Sequence, residues 1–515
     1  MSSRNPASGG KFTSDLAVIG YIAGIKLILQ LAAINGYGFF RDEFYYIACS
    51  QNPAFGYVDH PPLAMLLLRG IRAVLGDSIF AMRIVPALCG FLFVFMTGLI
   101  ARELGGKKFA VVLASAAALA PVGNFFMHFY YSMNAWDHLF WLGCVYVLIK
   151  IVKTGNNRLW LLFGLLVGLG LQNKISILFL GFGLAVGFLL TPARKHLKSK
   201  YLWMGLFMAL LIFSPFIIWN MNNDWAHLEF MNNAQTYKNY AVLPGEFLFG
   251  QILYNNPVTL PIWVVGILFL LFNREAQKYR FFGWMFLSLF ILFMLQHAKD
   301  YYLSGAYPIV FAAGGVQFER WLSRVRWGGI KTVLVASVMI CVIMFAPMAL
   351  PILPVETYID YANKVGVSGV QGENHEFGVL PQHYADMFGW EEIVVEVARV
   401  YNTLSPEEQK ECAIFARNYG VAGAVDFLGK KHGLPDAISG HNSYYLWGTR
   451  EYTGEIVIFM GGSHEDLLQY FDEVFEAGRT DCGYCMPYEN DQPIFICRGI
   501  KGPISEFWLK VKSFG

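Results

Sequence analysis

The first candidate site lies in a loop that follows the first apolar segment. Two adjacent acids, Asp42 and Glu43, open this loop, and Tyr57, Asp59 and His60 follow in the turn Tyr-Val-Asp-His-Pro-Pro. Charged side chains next to a bilayer are costly and usually line water-filled cavities or functional sites. A carboxylate in such a cavity can accept a proton or help to hold a hard divalent cation. We therefore expect acid–base chemistry at this loop.

Helix capping is the alternative interpretation of the two acids. Acids favour the first turn of a helix, where Asp42 and Glu43 would meet the positive end of the helix dipole and could pair with Arg41. Neighbouring side chains of a helix point about 100° apart, so both acids cannot face one atom. A shared role would need a metal ion or a non-helical turn. For Asp59 and His60 the alternative is an interface position at the start of a helix opened by proline.

Further polar residues stand at the ends of later apolar segments. Asp137 opens one such segment, where it could orient a substrate or serve as an ordinary N-cap. Lys174, Lys299 and Arg69 lie at predicted outer ends of helices. Each could meet the phosphate of a lipid headgroup, and each could equally extend its charge to the interface without binding anything.

The elements that carry these residues belong to a membrane protein. Hydrophobic residues make up 56% of the chain and charged residues 15%, whereas soluble domains average about 25% charged residues. The mean hydropathy is +0.43. A net charge of +2 over 515 residues provides no broad basic surface, so no nucleic acid is expected as a partner.

Apolar runs that are long enough to cross a hydrocarbon core, which takes about 20 residues, recur through the first two thirds of the chain. The first run follows Arg4 and Lys11 and is longer than the core of a secretory signal, so we interpret it as a retained anchor. We predict about eleven spans, near residues 14–34, 80–100, 109–126, 137–152, 159–172, 175–192, 202–219, 246–272, 281–296, 302–317 and 330–353.

Basic residues concentrate in every second loop between the predicted spans, for example at Arg194, Lys195, Lys198 and Lys200. Such clusters favour the cytoplasmic side of a membrane. We therefore predict a cytoplasmic amino terminus and, after an odd number of crossings, an extracytoplasmic C-terminal part. The acids of the first loop would then face the outside.

The composition changes at about residue 356, where acids, glycines and short mixed segments replace the apolar runs. Strand-like runs at residues 412–416, 456–460 and 493–497 alternate with helix-like runs at 391–401 and 464–471. This alternation predicts a soluble α/β domain over residues 356–515, after a membrane domain over residues 1–355.

Three cysteines lie near the end of this C-terminal domain: Cys482, Cys485 and Cys497. If the domain lies outside the cytoplasm, a disulfide among them is expected. The Cys-x-x-Cys spacing also fits half of a zinc site, although no second half follows. The two glycines before Ser463 resemble a phosphate-binding turn, but Ser463 with Asp466 is an ordinary capping pattern.

The first loop resembles that of the bacterial membrane glycosyltransferases related to the dolichyl-phosphate-mannose protein mannosyltransferases and the lipid A aminoarabinose transferases. Further matching stretches lie at residues 133–137, 168–174, 214–220 and 299–308, so the resemblance covers most of residues 35–315. It implies the GT-C fold, an α-helical polytopic membrane architecture. The aminoarabinose enzymes have more spans, and residues 356–515 have no evident counterpart in the protein mannosyltransferases.

The resemblance implies an inverting glycosyltransferase that moves a sugar from a polyprenyl-phosphate donor to an acceptor hydroxyl. A lipid phosphate is already a good leaving group, so the reaction needs one base and cations for the phosphate. The first acid of the pair is the family's candidate base, which implies Asp42 here, with Glu43 in support and Asp137 as a further catalytic candidate. The donor and phosphate-binding candidates are Tyr57, Asp59, His60, Arg69, Lys174, Lys299 and Tyr301.

The expected partners are a polyprenyl-phosphate-linked sugar, an acceptor glycan, lipid or protein, and the lipid bilayer of a bacterial inner membrane. No cofactor is required, although a divalent cation held by Asp42, Glu43 or Asp137 fits the pattern. A lipid-linked sugar flippase or transporter is the alternative, and it predicts paired halves with broken helices, which this sequence does not show as a repeat. A glycan-binding scaffold is the third possibility, but an anchor needs only one span.

Overall fold

The computed structural model describes residues 14–238, 242–325, 329–366 and 378–515. They form two compact units, each built from three separate stretches of chain. The first unit takes its described residues from Met1–Ile34, Arg83–Ser214 and Ala241–Ile352, and the second from Asn35–Met82, Pro215–Tyr240 and Leu353–Gly515. These boundaries differ from the predicted division at residue 355, because the first loop and a short middle stretch group with the C-terminal residues. The membrane and outer domains themselves stay a prediction.

Helices dominate the chain before residue 350. Their apolar composition accounts for this, since a backbone in lipid must satisfy its hydrogen bonds within the segment. The α-helices here are α1 (Asp15–Ala33), α2 (Arg41–Gln51), α3 (Leu63–Leu75), α4 (Ile79–Glu103), α5 (Lys108–Leu119), α6 (Val122–Met127), α7 (Met133–Thr154), α8 (Leu159–Asn173), α9 (Ile177–Leu189), α10 (Lys200–Asn222), α11 (Ala226–Asn233), α12 (Pro244–Tyr254), α13 (Leu260–Phe272), α14 (Arg280–Leu295), α15 (Tyr307–Leu322) and α16 (Gly329–Phe345).

Six helices of the described residues are long and apolar enough to cross a membrane, and two bent pairs raise the number to eight at most. The six lie in α1, α4, α7, α10, Gln277–Leu295 and Gly329–Met348. The pairs combine α9 with Pro192–Lys198, bent by 114°, and α12 with Pro257–Phe272, bent by 92°. Every predicted span overlaps helical residues, but residues 109–126 divide between α5 and α6, and residues 246–272 fall on the bent pair. The count of eleven is not confirmed, since α5 and α8 have only 12 and 15 residues. The chain is a multi-pass membrane protein.

Small residues allow close helix packing in the first unit. A Cβ atom on Gly266 of α13 would lie 2.9 Å from the backbone nitrogen of Gly314 on α15, and a Cβ on Gly314 would lie 2.9 Å from the carbonyl carbon of Ile262. Glycine at both positions therefore lets the two backbones meet, as is common between helices in membranes.

The second unit contains α2, α3 and α11 together with the C-terminal residues, whose described part adds eight short α-helices and four strands. The helices are α17 (Val355–Val365), α18 (Gln382–Ala385), α19 (Trp390–Tyr401), α20 (Pro406–Glu411), α21 (Tyr419–Leu428), α22 (Ser443–Trp447), α23 (His464–Leu467) and α24 (Ile504–Lys510). The strands are β1 (Cys412–Phe415), β2 (Ile456–Met460), β3 (Phe471–Arg479) and β4 (Pro493–Ile500).

The four strands form one mixed sheet in the order β1-β2-β4-β3. β1 runs parallel to β2, whereas β4 is antiparallel to both β2 and β3. Phe415, Phe471, Phe495 and Trp508 belong to its buried aromatic core. The predicted fold class, a helical membrane protein with a C-terminal α/β part, is confirmed.

Candidate active site

The first loop folds into helix α2, and Glu43 fixes its start. The Oε2 atom of Glu43 accepts a hydrogen bond of 2.9 Å from the backbone N–H of Phe40, the N-cap residue. Glu43 is fully buried. The backbone N–H of Arg41 donates to the carbonyl oxygen of Asp386 at 2.9 Å. The carboxylate of Glu43 thus makes a capping contact, which is the alternative considered for it above.

Asp42 has a different environment from its neighbour. Its Oδ1 atom accepts a hydrogen bond of 2.9 Å from the hydroxyl of Tyr419 and lies 3.4 Å from Nε of Arg41. The side chain remains 22% exposed. Among the described residues, no hydrogen bond to Oδ2 is found. Asp42 therefore has one oxygen held by protein, and its side chain as a whole stays partly accessible.

Arg41 ties the start of α2 to the C-terminal residues. Its Nη1 donates to the hydroxyl oxygen of Tyr488 at 2.6 Å and lies 3.8 Å from Oδ1 of Asp386. The guanidinium also stands over the ring of Tyr419, with its carbon 5.5 Å from the ring centroid. These contacts account for the arginine side chain being only 11% exposed. The charge of Arg41 is thus shared between Asp42 and Asp386.

Helix α2 packs directly on α21. A Cβ atom at Gly423 of α21 would lie 2.8 Å from the carbonyl carbon of Phe44 and 2.9 Å from its Cβ. The ring of Phe44 meets Trp390 and Phe427, with centroids 5.7 and 6.1 Å apart. The absence of a side chain at Gly423 lets the two helices approach, so the C-terminal residues hold the helix that carries Asp42.

Asp59 belongs to a buried hydroxyl network. Its Oδ1 accepts a hydrogen bond of 2.7 Å from the hydroxyl of Tyr45, which lies 2.8 Å from Oγ of Ser443. Oγ of Ser443 in turn accepts the backbone N–H of Val58 at 3.1 Å. Burial and then the charge of Asp59 raise the pKa of Tyr45 well above its usual value, so this hydroxyl stays protonated. The network orients Asp59.

His60 and Tyr57 occupy the same turn but differ in their contacts. The hydroxyl of Tyr57 donates to the carbonyl oxygen of Cys49 at 2.8 Å, which is a structural bond. Nε2 of His60 is buried without a hydrogen-bond partner among the described residues, and it lies 3.8 Å from Oδ1 of Asp59. His227 of α11 bonds through Nδ1 to the carbonyl of Val58, and its Nε2 is likewise buried and unpartnered in the described chain. Two imidazoles are thus available near this turn.

Asp426 of α21 fixes the segment that carries Ser443. Its Oδ2 accepts a hydrogen bond of 2.7 Å from the hydroxyl of Tyr444, and its Oδ1 accepts the backbone N–H of Ala437 at 2.6 Å. Tyr444 follows Ser443 in α22. Burial raises the pKa of Asp426 to about 6.

This aspartate predicts a pH dependence of stability. The folded chain holds the Asp426 proton more tightly than the unfolded chain, in which the pKa is about 3.9. The stabilisation is complete below the unfolded value and is lost as the pH rises through about 6. We expect the free energy of unfolding to fall by about 1 kcal/mol between about pH 5 and about pH 7 through this group.

Thermal unfolding of the detergent-purified chain at these two pH values measures the effect. The variant Asp426→Asn cannot titrate at this position, so its unfolding should depend less on pH. The same pH dependence in both proteins would remove Asp426 as the cause.

The first unit contains a second group of candidates at the start of α7. The N-cap of α7 is Ser132, whose Oγ accepts from the backbone of Asn134 at 3.3 Å, so Asp137 does not cap this helix. Instead, Oδ1 of Asp137 accepts a hydrogen bond of 2.6 Å from Ser176. Nζ of Lys174 donates to Oδ1 of Asn134 at 2.6 Å.

Aromatic rings complete the surroundings of Lys174. Its ammonium lies 5.5 Å from the ring centroid of Tyr301 and 5.8 Å from that of Tyr302. Both tyrosines belong to a 3-10 helix, Asp300–Ala306, that Lys299 precedes as N-cap residue. Rings at this distance stabilise a cation without neutralising it.

The candidates therefore divide between the two units. Asp42, Glu43, Tyr57, Asp59, His60 and the exposed Arg69 of α3 belong to the second unit, whereas Asp137, Lys174, Lys299 and Tyr301 belong to the first. Sequence reasoning missed Tyr419, Tyr488 and His227. A tyrosine that bonds to Asp42 from 377 residues away leaves no local pattern.

Metal ligation finds little support in these residues. In the described ranges, no group of three or more His, Cys, Asp or Glu side chains is arranged to hold a metal ion. His128 and His138 bond to each other at 3.0 Å, and their other ring nitrogens meet Asn124 and Ser304 at 2.6 and 2.7 Å. The divalent cation considered for Asp42, Glu43 and Asp137 stays a prediction.

The C-terminal cysteines pair locally. Cys482 and Cys485 form a disulfide with their Cα atoms 5.6 Å apart, and Cys497 is a free, buried cysteine on β4. The two cysteines of the Cys-x-x-Cys motif are therefore bonded to each other rather than to a metal in this structure. Ser463 caps α23 by accepting the backbone N–H of Asp466 at 3.1 Å, as the capping interpretation expects.

Known proteins resemble this chain in sequence and in fold. The family model for dolichyl-phosphate-mannose-protein mannosyltransferase matches residues 59–219. Lipid A galacturonosyltransferase RgtD from Rhizobium johnstonii is 20% identical over 318 residues, which is 61% of this chain and 66% of that relative, so the chain spans just under two thirds of its length.

Solved structures extend the similarity over most of the chain. ArnT from Cupriavidus metallidurans, bound to undecaprenyl phosphate, superposes with a TM-score of 0.61 at 13% identity and covers 92% of this chain and 97% of that one. The oligosaccharyltransferase AglB from Archaeoglobus fulgidus, in complex with an inhibitory peptide and a dolichol-phosphate, gives a TM-score of 0.52 at 12% identity over 88% of this chain and 70% of that one. This chain has the GT-C fold.

The predicted resemblance to the GT-C membrane glycosyltransferases is thus confirmed. Within this GT-C chain, the family match includes Asp59, His60, Asp137 and Lys174, but it begins after Asp42. The case for Asp42 therefore depends on its own geometry.

Proposed function

We propose that this chain is an inverting glycosyltransferase that takes a sugar from a polyprenyl-phosphate donor and transfers it to an acceptor hydroxyl outside the cytoplasm. The observation that carries the proposal is the carboxylate of Asp42, which is 22% exposed and meets its protein partners through Oδ1. Its Oδ2 receives no hydrogen bond from the residues that the structure describes. In a GT-C fold, such a carboxylate is suited to accept a proton from a hydroxyl.

The reaction forms one bond and breaks one. The acceptor oxygen bonds to the anomeric carbon of the sugar while the bond from that carbon to the phosphate oxygen breaks. Asp42 takes the proton of the acceptor hydroxyl, and the electron pair of the broken bond leaves with the polyprenyl phosphate. Attack on the face opposite the leaving group inverts the anomeric centre. Because the phosphate is a stable leaving group, no acid has to protonate it.

The leaving phosphate gains negative charge, so cations should lie near it. Lys174 is the first candidate. Its ammonium has three N–H donors, and in the described chain it makes one hydrogen bond, to Asn134, so further donors can bind a phosphate. The rings of Tyr301 and Tyr302 lie near the ammonium but carry no negative charge, so they do not cancel its positive charge. In the second unit, we propose Arg69 and the turn of Asp59 and His60 as further donor-binding candidates, with Tyr57 holding that turn.

Lipid-linked donors are supported by location and by similar folds. ArnT was solved with undecaprenyl phosphate and AglB with a dolichol-phosphate, and this chain has apolar helices that suit a bilayer. We further propose the bacterial inner membrane, with a cytoplasmic amino terminus and an extracytoplasmic C-terminal part, on the distribution of basic residues. Nucleotide sugars are made inside the cell, so a site outside would need a lipid carrier.

The test is a transfer assay with the full chain in proteoliposomes. A polyprenyl phosphate carrying a radiolabelled sugar is supplied without nucleotide sugar, and label is followed into acceptor glycans, lipids and proteins. We expect release of free polyprenyl phosphate together with labelled acceptor. Movement of the intact lipid across the bilayer without bond cleavage would replace the transferase with a flippase, and transfer from nucleotide sugars alone would exclude the lipid donor.

A further inference from the structure

Tyr419 comes from a part of the chain with no assigned role, yet it contacts the proposed base. Its hydroxyl donates a hydrogen bond of 2.9 Å to Oδ1 of Asp42 across a separation of 377 residues. A hydrogen bond to an ionised carboxylate is stronger than one between neutral groups. The contact can therefore fix the orientation of the Asp42 carboxylate.

The backbone around Tyr419 is firmly held. Asn418 caps α21, and its Oδ1 accepts the backbone N–H groups of Gly420 and Val421 at 2.9 and 3.0 Å. Nδ2 of Asn418 donates to Oε1 of the buried Glu489 at 2.7 Å. Tyr419 is thus the first residue of a helix whose start is fixed on both sides.

The ring of Tyr419 is held as well. Its centroid lies 4.7 Å from the ring of Tyr45 and 4.7 Å from the ring of His441, and the guanidinium of Arg41 stands 5.5 Å from it. Nε2 of His441 lies 2.7 Å from the carbonyl oxygen of Gly515. A ring packed in this way directs its hydroxyl to one place.

We infer that Tyr419 is a positioning residue for Asp42, an inference that rests on the proposed transferase function. Its hydroxyl binds Oδ1, fixes the rotation of the carboxylate and leaves Oδ2 for the acceptor hydroxyl. The C-terminal residues are therefore part of the catalytic site rather than a separate module.

The experiment compares kcat and the KM for the donor between Tyr419→Phe and the wild type in the transfer assay. Phenylalanine keeps the ring contacts with Tyr45, His441 and Arg41 and removes only the hydroxyl. We expect kcat to fall by about 10- to 100-fold with little change in KM for the donor.

Tyr401→Phe is the matched control. Tyr401 also lies in the C-terminal residues, and its hydroxyl donates to the carbonyl oxygen of Gln409 at 2.9 Å, so this variant loses a hydroxyl bond that does not involve Asp42. Its kcat and its KM for the donor should match those of the wild type. A double variant of Asp42→Asn and Tyr419→Phe should be no slower than Asp42→Asn alone, because the two residues act as one.

The outcomes separate the inference from the function on which it rests. Transfer by the wild type together with an unchanged kcat in Tyr419→Phe would overturn the inference and leave the function standing. Full activity in Asp42→Asn would overturn the inference by removing Asp42 from the reaction. No transfer from any polyprenyl-phosphate sugar by the folded wild-type chain would overturn the proposed function, and the positioning role with it.

Discussion

Asp42→Asn should lower the rate of sugar transfer by about 10³-fold, since general-base catalysis contributes roughly 10²- to 10⁴-fold. Asparagine has the same shape and keeps an oxygen that can accept the hydroxyl of Tyr419, so the fold should persist. The amide of asparagine cannot take up the proton that the acceptor hydroxyl loses. The measurement is the transfer rate at saturating donor.

Asp491→Asn is the control for this substitution, because the side chain of Asp491 is 77% exposed and pairs only with Arg479 among the ion pairs of the described residues. It should transfer sugar at the wild-type rate. A rate for Asp42→Asn within a few fold of the wild type, in protein that unfolds at the same temperature, would remove Asp42 from the mechanism.

Gly423→Ala should destabilise the second unit despite adding a better helix former. The new Cβ would lie 2.8 Å from the carbonyl carbon of Phe44, which is backbone and cannot turn aside. Overpacking of this kind costs about 1–3 kcal/mol, which exceeds the gain of about 1 kcal/mol from replacing glycine in a helix. Because α2 must shift, transfer should fall as well. Thermal unfolding and the transfer rate measure both effects.

The comparison variant is Gly70→Ala in α3. A Cβ atom there would meet nothing within 4 Å, so this helix should gain up to about 1 kcal/mol. The two glycine-to-alanine changes are thus expected to have opposite signs. Equal melting temperatures for both variants would contradict the close packing of α2 on α21.

Local patterns in the sequence were sufficient for the membrane part of the fold. An apolar run specifies a helix in lipid without reference to the rest of the chain, and every predicted span overlaps helical residues. Helix ends were harder, because the short α5 and α8 have the same composition as full spans. The loop with Asp42, Asp59 and His60 stood out because polar residues there interrupt apolar surroundings.

Contacts between distant residues could not be predicted in this way. The packing of α2 on α21 depends on Gly423 and Phe44, which are ordinary residues in their own segments. β3 was missed because it is an edge strand with three acids, two of them adjacent, and largely exposed side chains that show no apolar alternation. The capping role of Glu43 and the base role proposed for Asp42 have the same sequence signature, and only the hydrogen bonds distinguish them.

The discontinuous second unit has a consequence for biosynthesis. Its first stretch, Asn35–Met82, leaves the ribosome long before its last, Leu353–Gly515. At about 5–20 residues per second, the 377 residues between Asp42 and Tyr419 take roughly 20 to 75 seconds to synthesise. Throughout that interval, α2 lacks the helix on which it packs, so a nascent chain released early would insert its spans but leave Phe44 and Arg41 without their partners. Truncated chains of this protein should therefore be preferred substrates of membrane-associated chaperones and proteases.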